Sequence, residues 1–266
     1  MNPINEKYAL VTGSGSGIGK AIAKELALRG IRVLLVALPG EDLAGYAEDL
    51  SRDFGIKTDA LETDLSLPGG PGKVIEWVKK NQYPVYFLVN NAGMAGTAVF
   101  EQSDDKYIDD RILVNIRALT FLCRYFIPEL KKHEKSYILN VSSLSAYYAI
   151  PFKALYSSTK AFVLNFSRAI RTELKESPIS VSALCPNGVQ TNEGTFSRIA
   201  AHGKKGKYTT VPVEKVARMA VDHTLREKFL IIPGRVNHFL VFLSRLLPHA
   251  VEQNILYREF LKEVSK

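Results

Sequence analysis

Short apolar segments alternate with helical segments along most of the 266 residues of this chain, and this alternation constrains the fold more than any other feature. The apolar segments are rich in Val, Ile, Leu and Tyr and have the length of strands. Seven strands are predicted in this way, at residues 8–12, 32–37, 57–62, 85–90, 136–142, 179–185 and 229–233. The helices predicted between them cover about residues 17–29, 41–54, 71–81, 104–132, 154–176 and 213–227.

Several of these strands are apolar at consecutive positions, as in Val33-Leu34-Leu35-Val36. Such segments are typical of strands buried on both faces, which is the position of a strand in a parallel sheet covered by helices. The sequence therefore predicts an α/β fold built on a doubly wound parallel sheet. Ligands of such sheets bind at the carboxyl ends of the strands.

The composition, with 46% apolar and 23% charged residues, indicates one folded domain. We expect residues 1–236 to form its main body and residues 237–266 a C-terminal amphipathic helical extension, interrupted at Pro248. Two cysteines, Cys123 and Cys185, are too few for a disulfide scaffold, and the first residues lack the apolar core of a signal peptide. A cytoplasmic location is therefore expected.

The formal charge of +8 is concentrated near the C-terminus, since residues 201–266 hold 12 Lys/Arg and 6 Asp/Glu. No recognition-helix or zinc-finger spacing accompanies this charge, so we expect no nucleic-acid partner. The five histidines lie far apart without partners at ligand spacing, and no metal site is expected. Peripheral contact with a membrane surface stays open as an interpretation of the basic charge.

A glycine-rich turn, Thr12-Gly13-Ser14-Gly15-Ser16-Gly17-Ile18-Gly19, connects the first predicted strand to the first helix. Glycines let the backbone approach a phosphate closely, and the amide groups at a helix start donate hydrogen bonds to it. The turn therefore indicates a dinucleotide-binding site, although glycine-rich turns without ligands are common.

The spacing of Gly13, Gly17 and Gly19 resembles the nucleotide loop of the short-chain dehydrogenase/reductase family. The likeness continues to about residue 191: Asp64-Leu65 follows the third strand, Asn91-Ala92-Gly93 follows the fourth, and Asn115 lies on the next helix. Ser143 lies 13 residues before Tyr156, which is followed four residues later by Lys160. The resemblance implies a Rossmann-like domain, with nucleotide-binding and catalytic residues within residues 1–236.

Acid-base chemistry at neutral pH requires a cation near a tyrosine, because the ordinary pKa of its phenol is close to 10. Lys160 meets this requirement, since side chains four residues apart share one face of a helix. The resemblance implies that Tyr156 donates the proton, Ser143 polarises the substrate oxygen, and Asn115 supports a water relay behind the lysine. The predicted catalytic residues are therefore Asn115, Ser143, Tyr156 and Lys160.

The segment Pro186-Asn187-Gly188-Val189-Gln190-Thr191 resembles the family's nicotinamide-binding segment, with Asn187 in the usual glycine position. The residues that the resemblance places on the cofactor are Gly13, Ser14, Gly17, Ile18, Gly19, Leu38, Asp64, Leu65, Asn91, Ala92, Gly93, Tyr156, Lys160, Pro186, Gly188, Val189 and Thr191.

NADP is favoured over NAD as the cofactor because no acid closes the second strand, where Leu38 stands. Related NADP-dependent members often carry a basic residue at that position and at the position of Ser16. Neither position is basic here, so NAD stays possible. Glu41 and Asp42 are expected to begin the following helix.

The helices predicted at 104–132 and 154–176 carry more apolar side chains than one sheet face needs. We expect an intersubunit face, and with it a homodimer or homotetramer. Its expected members are Ile108, Ile112, Leu119, Phe126, Phe162, Phe166 and Ile170.

The C-terminal extension also carries an apolar stripe, and a long basic segment over 192–210 precedes it. The stripe consists of Phe239, Leu240, Phe242, Leu243, Leu246 and Leu247, followed after Pro248 by Leu256, Tyr257, Phe260 and Leu261. Three interpretations stay open: packing within the protein, a wall for a lipid-like substrate, or a helix at a membrane surface.

Together these features predict an NAD(P)-dependent oxidoreductase that acts on a ketone or secondary alcohol. A 3-oxoacyl thioester, a steroid or another lipid ketone is favoured over a sugar as its substrate. The alternatives are a cofactor-binding regulatory protein and a peripheral membrane protein, each with little turnover.

Overall fold

The computed structural model describes residues 6–189, 210–244 and 246–264. Its centre is a parallel sheet of seven strands in the order β3-β2-β1-β4-β5-β6-β7. The strands are β1 (Tyr8–Thr12), β2 (Arg32–Ala37), β3 (Thr58–Glu62), β4 (Val85–Asn90), β5 (Ser136–Val141), β6 (Ile179–Leu184) and β7 (Leu230–Ile231). The predicted doubly wound sheet is confirmed.

Helices cover both faces of this sheet. They are α1 (Gly17–Leu28), α2 (Leu43–Phe54), α3 (Gly70–Lys80), α4 (Asp105–Ile112), α5 (Leu119–Leu130), α6 (Ala154–Glu173), α7 (Val213–Leu225), α8 (Arg235–Ser244) and α9 (His249–Val264). Short 3-10 helices lie at Phe100–Gln102 and Leu144–Tyr147. No helix within the described ranges combines the length and apolarity that crossing a bilayer requires.

Successive residues of each strand enter different apolar layers, because side chains alternate across a sheet. Val11 of β1 packs in the layer formed with α1, α2 and α7, whereas Leu10 packs in the layer formed with α3, α5 and α6. Both residues are fully buried. This explains the unbroken apolar runs of the sequence.

The helix predicted over 104–132 is interrupted, and this corrects the sequence expectation. It begins at Asp105, where the Asp104 side chain accepts a hydrogen bond of 2.6 Å from the Tyr107 amide. It then changes to π-helical hydrogen bonding over Leu113–Ala118 before α5 begins. Such single π turns commonly occur at functional sites, and this one contains Asn115.

The expected intersubunit face is also different from the prediction. Leu119, Phe126 and Ile170 are buried within the subunit's own core, so they are not available for an interface. The exposed large apolar side chains on the same helical segments are Ile112, Phe121, Tyr125 and Phe162.

The site position follows from strand order. The chain runs from β1 outward to β2 and β3, then returns to the other side of β1 to form β4. The helices that follow β1 and β4 lie on opposite faces of the sheet, and in sheets of this kind a crevice opens at such a reversal, at the carboxyl ends of the strands.

Candidate active site

The glycine loop after β1 is joined to the segment after β4 by hydrogen bonds. The Asn91 side chain donates to the carbonyl oxygens of Thr12 and Gly13 at 2.9 and 3.0 Å. The Thr12 hydroxyl oxygen accepts from the amides of Asn91 and Ala92 at 3.0 and 3.1 Å. Gly13 and Gly17 have φ values of +63° and +55°, a region that side chains rarely adopt. The loop therefore keeps an open, rigid backbone surface.

Two predicted cofactor residues, Ser14 and Gly19, shape this loop from behind and do not line the cleft. Ser14 is fully buried, and both its amide and its hydroxyl donate to the carbonyl oxygen of Val36. A Cβ on Gly19 would lie 2.0 Å from the carbonyl oxygen of Gly13. Both residues thus fix the loop conformation.

The other predicted cofactor residues that the structure describes surround one cleft of about 1180 Å³. They are Gly13, Gly17, Ile18, Leu38, Asp64, Leu65, Asn91, Ala92, Gly93, Tyr156, Lys160, Pro186, Gly188 and Val189. Thr191 lies outside the described residues. The glycine backbone at one end and the volume of the cleft fit a nicotinamide dinucleotide together with a substrate.

Tyr156 and Lys160 lie one turn apart on α6 and both line the cleft. The Lys160 ammonium is 5.9 Å from the centroid of the Tyr156 ring and donates to the carbonyl oxygen of Val141 at 3.0 Å. Burial lowers the pKa of Lys160 from its ordinary value to about 8. The lysine is thus a buried amine beside the tyrosine.

Ser143 ends the loop after β5 and begins the 3-10 helix Leu144–Tyr147. Its hydroxyl oxygen accepts from the Ser145 amide at 3.1 Å, so the O–H is directed elsewhere and Ser143 lines the cleft. The neighbouring Ser142 hydroxyl donates to the Lys160 carbonyl oxygen at 2.7 Å, which attaches this loop to α6. Ser143, Tyr156 and Lys160 therefore line the same cleft.

Asn115 lies behind the cleft wall, where the resemblance implied a water relay. Its side chain accepts from the Met94 amide at 2.7 Å and donates to the Met94 carbonyl and the Thr159 hydroxyl, both at 3.0 Å. A Cβ on Gly93 would lie 3.1 Å from the Lys160 ammonium and 3.2 Å from Asn115 Oδ1. Asn115 thus positions the segment after β4 against α6.

Cys123 and Cys185 are both free thiols and both buried. Burial raises the pKa of each thiol to about 12. Neither forms the thiolate that a nucleophile requires.

The opposite end of the cleft is formed largely by the C-terminal extension, and its lining is mostly apolar but also contains Glu252, Glu259 and Glu263. Its lining residues include Leu144, Ile150, Leu240, Leu243, Leu247, Leu256 and Phe260. Part of the predicted apolar stripe thus lines the cleft. Other residues of the stripe face solvent: Phe239 and Phe242 are each 60% exposed, and Leu246 is 65% exposed.

A buried ion pair that the sequence analysis missed holds α9 across this end. The Glu263 carboxylate lies 2.9 Å from the Lys153 ammonium and accepts a hydrogen bond of 2.7 Å from the Thr97 hydroxyl. The Glu263 side chain is only 3% exposed. The three residues come from α9 and the loops after β5 and β4. We term this contact the α9 latch. Its members are too far apart in the chain for any local pattern to link them.

Glu41 is a second missed residue, at the end of the cleft lined by Leu38. The sequence analysis assigned Glu41 to the start of a helix, but α2 begins at Leu43 with Asp42 as the preceding cap residue. Glu41 therefore stands in the loop, with its side chain on the cleft.

The chain belongs to the short chain dehydrogenase family, whose model matches residues 7–199. A curated relative, the very-long-chain 3-oxoacyl-CoA reductase of Anas platyrhynchos, is 34% identical over 197 residues. The match covers 72% of this chain and 62% of that protein, so the chain spans less than two thirds of the relative's length.

Two solved structures share the fold over nearly the whole chain. The bulky-bulky ketone specific alcohol dehydrogenase from Comamonas testosteroni has a TM-score of 0.77 and 26% identity, covering 91% of this chain and 92% of its own. A short-chain dehydrogenase from Sphingobium yanoikuyae in complex with NADPH has a TM-score of 0.77 and 28% identity, covering 90% and 94%.

Proposed function

We propose that the protein catalyses nicotinamide-dependent reduction of an apolar ketone, or the reverse oxidation of the alcohol. The observation that carries the proposal is the grouping of Ser143, Tyr156 and Lys160 on one cleft that also contains the glycine loop. Family membership supports it.

The residues of this chain divide the chemistry between them. Ser143 donates a hydrogen bond to the ketone oxygen and polarises it, and Tyr156 donates the proton to that oxygen. The Lys160 ammonium stabilises the phenolate left behind and, from its place on the cleft, is available to the nicotinamide ribose. A bound reduced nicotinamide dinucleotide supplies the hydride.

An apolar substrate is supported by the lining of the cleft beyond Ser143. Leu144, Leu240, Leu256 and Phe260 present hydrocarbon to the space that a substrate would occupy. The names of two relatives, one a very-long-chain 3-oxoacyl-CoA reductase and one specific for bulky ketones, agree with this class. We propose a lipid-like or otherwise bulky ketone in preference to a sugar.

The test is a panel of ketones, from small polar compounds to steroid and 3-oxoacyl substrates, followed by absorbance of the reduced nicotinamide. We expect the largest kcat/KM values for the bulky apolar members. Preference for small hydrophilic carbonyls would contradict the substrate class. Cofactor binding without turnover on the panel would favour the alternative, a regulatory protein that binds the cofactor.

We also propose a homo-oligomer that covers the exposed apolar side chains of α4, α5 and α6. Ile112, Phe121, Tyr125 and Phe162 are all exposed in the isolated chain, and water contact with such side chains is unfavourable. Light scattering at micromolar concentration tests this, and a particle of 29.6 kDa would contradict it.

Peripheral membrane contact is a second candidate property, proposed for the outward face of α8. Phe239 and Phe242 are exposed there beside the exposed basic side chain of Arg235. Apolar side chains flanked by basic ones favour anionic lipid surfaces. We expect co-sedimentation with anionic vesicles, reduced by the pair Phe239→Ser and Phe242→Ser, whereas binding that is equal for neutral vesicles would argue against charge as its basis.

A further inference from the structure

A carboxylate lies directly against the glycine loop, and it belongs to Glu41. A Cβ on Gly15 would be only 1.6 Å from Glu41 Oε2, so the carboxylate packs on the Gly15 backbone. Ser16, Leu38 and Glu41 line the cleft at this end. The three side chains supply one hydroxyl, one hydrocarbon surface and one negative charge.

Glu62, the last residue of β3, adds a second carboxylate to the same region. It accepts from the Gly40 amide at 3.1 Å and from the Leu43 amide at 3.4 Å. The loop between β2 and α2 is thus held in place by one acid, while Glu41 projects from it toward Gly15. An amide that could bind a phosphate, that of Gly40, is already bonded to an anion.

The lysines that line the cleft in the described ranges are engaged in other contacts. The Lys106 ammonium lies 2.6 Å from Asp110, and the Lys153 ammonium belongs to the α9 latch. Lys160 is buried beside Tyr156. On the first turn of α1, the Lys20 ammonium lies over the Tyr46 ring at 4.4 Å. None of these contacts involves Glu41, so none of these four lysines offsets the negative charge of its carboxylate.

From this arrangement we infer that Glu41 makes the protein select NAD(H) over NADP(H). The carboxylate accepts hydrogen bonds from ribose hydroxyls and repels a 2′-phosphate, which carries about two negative charges at neutral pH. This inference rests on the proposed function only in requiring that a nicotinamide dinucleotide binds. It reverses the expectation drawn from the sequence, because the acid comes from the following loop and not from the end of β2.

Calorimetric titration of the full chain with NADH and NADPH tests the selection without requiring a ketone. We expect NADH to bind roughly 10- to 100-fold more tightly, which is the range of one charge-assisted hydrogen bond. Glu41→Gln should reduce this ratio by about tenfold or more, and Glu41→Arg should invert it. The matched control is Glu48→Gln, an exposed carboxylate on α2 that faces a separate pocket, and it should leave the ratio unchanged.

Wild-type protein that binds NADPH as tightly as NADH would overturn the inference. A ratio that Glu41→Gln leaves unaltered would overturn it as well. NADH binding with the expected preference, but without turnover of any ketone, would refute the proposed function and support the role of Glu41. Failure to bind either dinucleotide would refute both.

Discussion

Breaking the α9 latch should loosen the C-terminal helix and weaken catalysis on bulky ketones. The substitution is Glu263→Leu, which keeps the helix propensity of the side chain but removes its charge and its hydrogen-bond acceptors. Lys153 then loses a carboxylate at 2.9 Å and Thr97 loses an acceptor at 2.7 Å. The other contacts of α9, among them the ring pair of Phe152 and Tyr257 at 5.5 Å, stay in place.

The magnitude follows from the burial of the two partners. Removing one member of a fully buried pair costs about 3–5 kcal/mol. The Lys153 side chain is 15% exposed, so water can solvate part of the unpaired charge and we expect about 2–4 kcal/mol. Because 1.4 kcal/mol corresponds to a factor of ten, amide hydrogens of α9 should exchange roughly 30- to 1000-fold faster.

Hydrogen exchange of residues 249–264 measures this effect, and kcat/KM for a bulky ketone measures its consequence. We expect kcat/KM to fall while binding of the dinucleotide at the glycine loop is retained. Lys262→Gln is the matched control, since Lys262 does not line the cleft and the pair that it forms with Glu259 is partly exposed and contributes less than about 1 kcal/mol. Unchanged exchange in Glu263→Leu would refute the assignment of this ion pair as the contact that holds α9.

Three further results are expected. Tyr156→Phe should lower kcat by roughly 10²- to 10⁴-fold with dinucleotide binding retained, because it removes the proton donor and little volume; near wild-type turnover would exclude that role. Ketone reduction should decline as pH rises through about 8, because Lys160, whose pKa burial lowers to about 8, is an ammonium below that pH and neutral above it; a pH–rate profile flat to pH 10 would contradict this. Gly93→Ala should lower kcat/KM and destabilise the fold by roughly 1–3 kcal/mol in denaturant titration, because its Cβ would lie 3.1 Å from the Lys160 ammonium and 3.2 Å from Asn115; unchanged kinetics would show that the two side chains move aside.

Local sequence patterns were enough to predict the strands of the central sheet and the helical face that carries Tyr156 and Lys160. A strand buried on both faces is apolar at nearly every position, so 32–37 and 85–90 are visible in the sequence and agree with β2 and β4. The four-residue spacing of Tyr156 and Lys160 places them on one helical face whatever surrounds them. The proposed catalytic pair could therefore be placed on one helical face before the fold was known.

Packing decided the features that depend on neighbours distant in sequence. Leu119 and Phe126 are apolar side chains that we expected at a subunit interface. They are buried in the core instead, because they lie on the face of α5 that packs on the sheet. Ser14 and Gly19 match the nucleotide motif, yet their close contacts are with Val36 and Gly13. A one-dimensional motif records residue spacing and does not record which side of a loop faces the ligand.

The charged residues of the cleft show most clearly the difference between what local sequence predicts and what tertiary packing decides. The sequence determined that an acid is absent from the end of β2, but only the tertiary structure brings Glu41 back onto Gly15. Likewise, the α9 latch joins Lys153 and Glu263, which are 110 positions apart in the chain. Electrostatic contacts act through distances in space of a few ångströms, so the folded backbone, and not the order of residues, determines which charges meet.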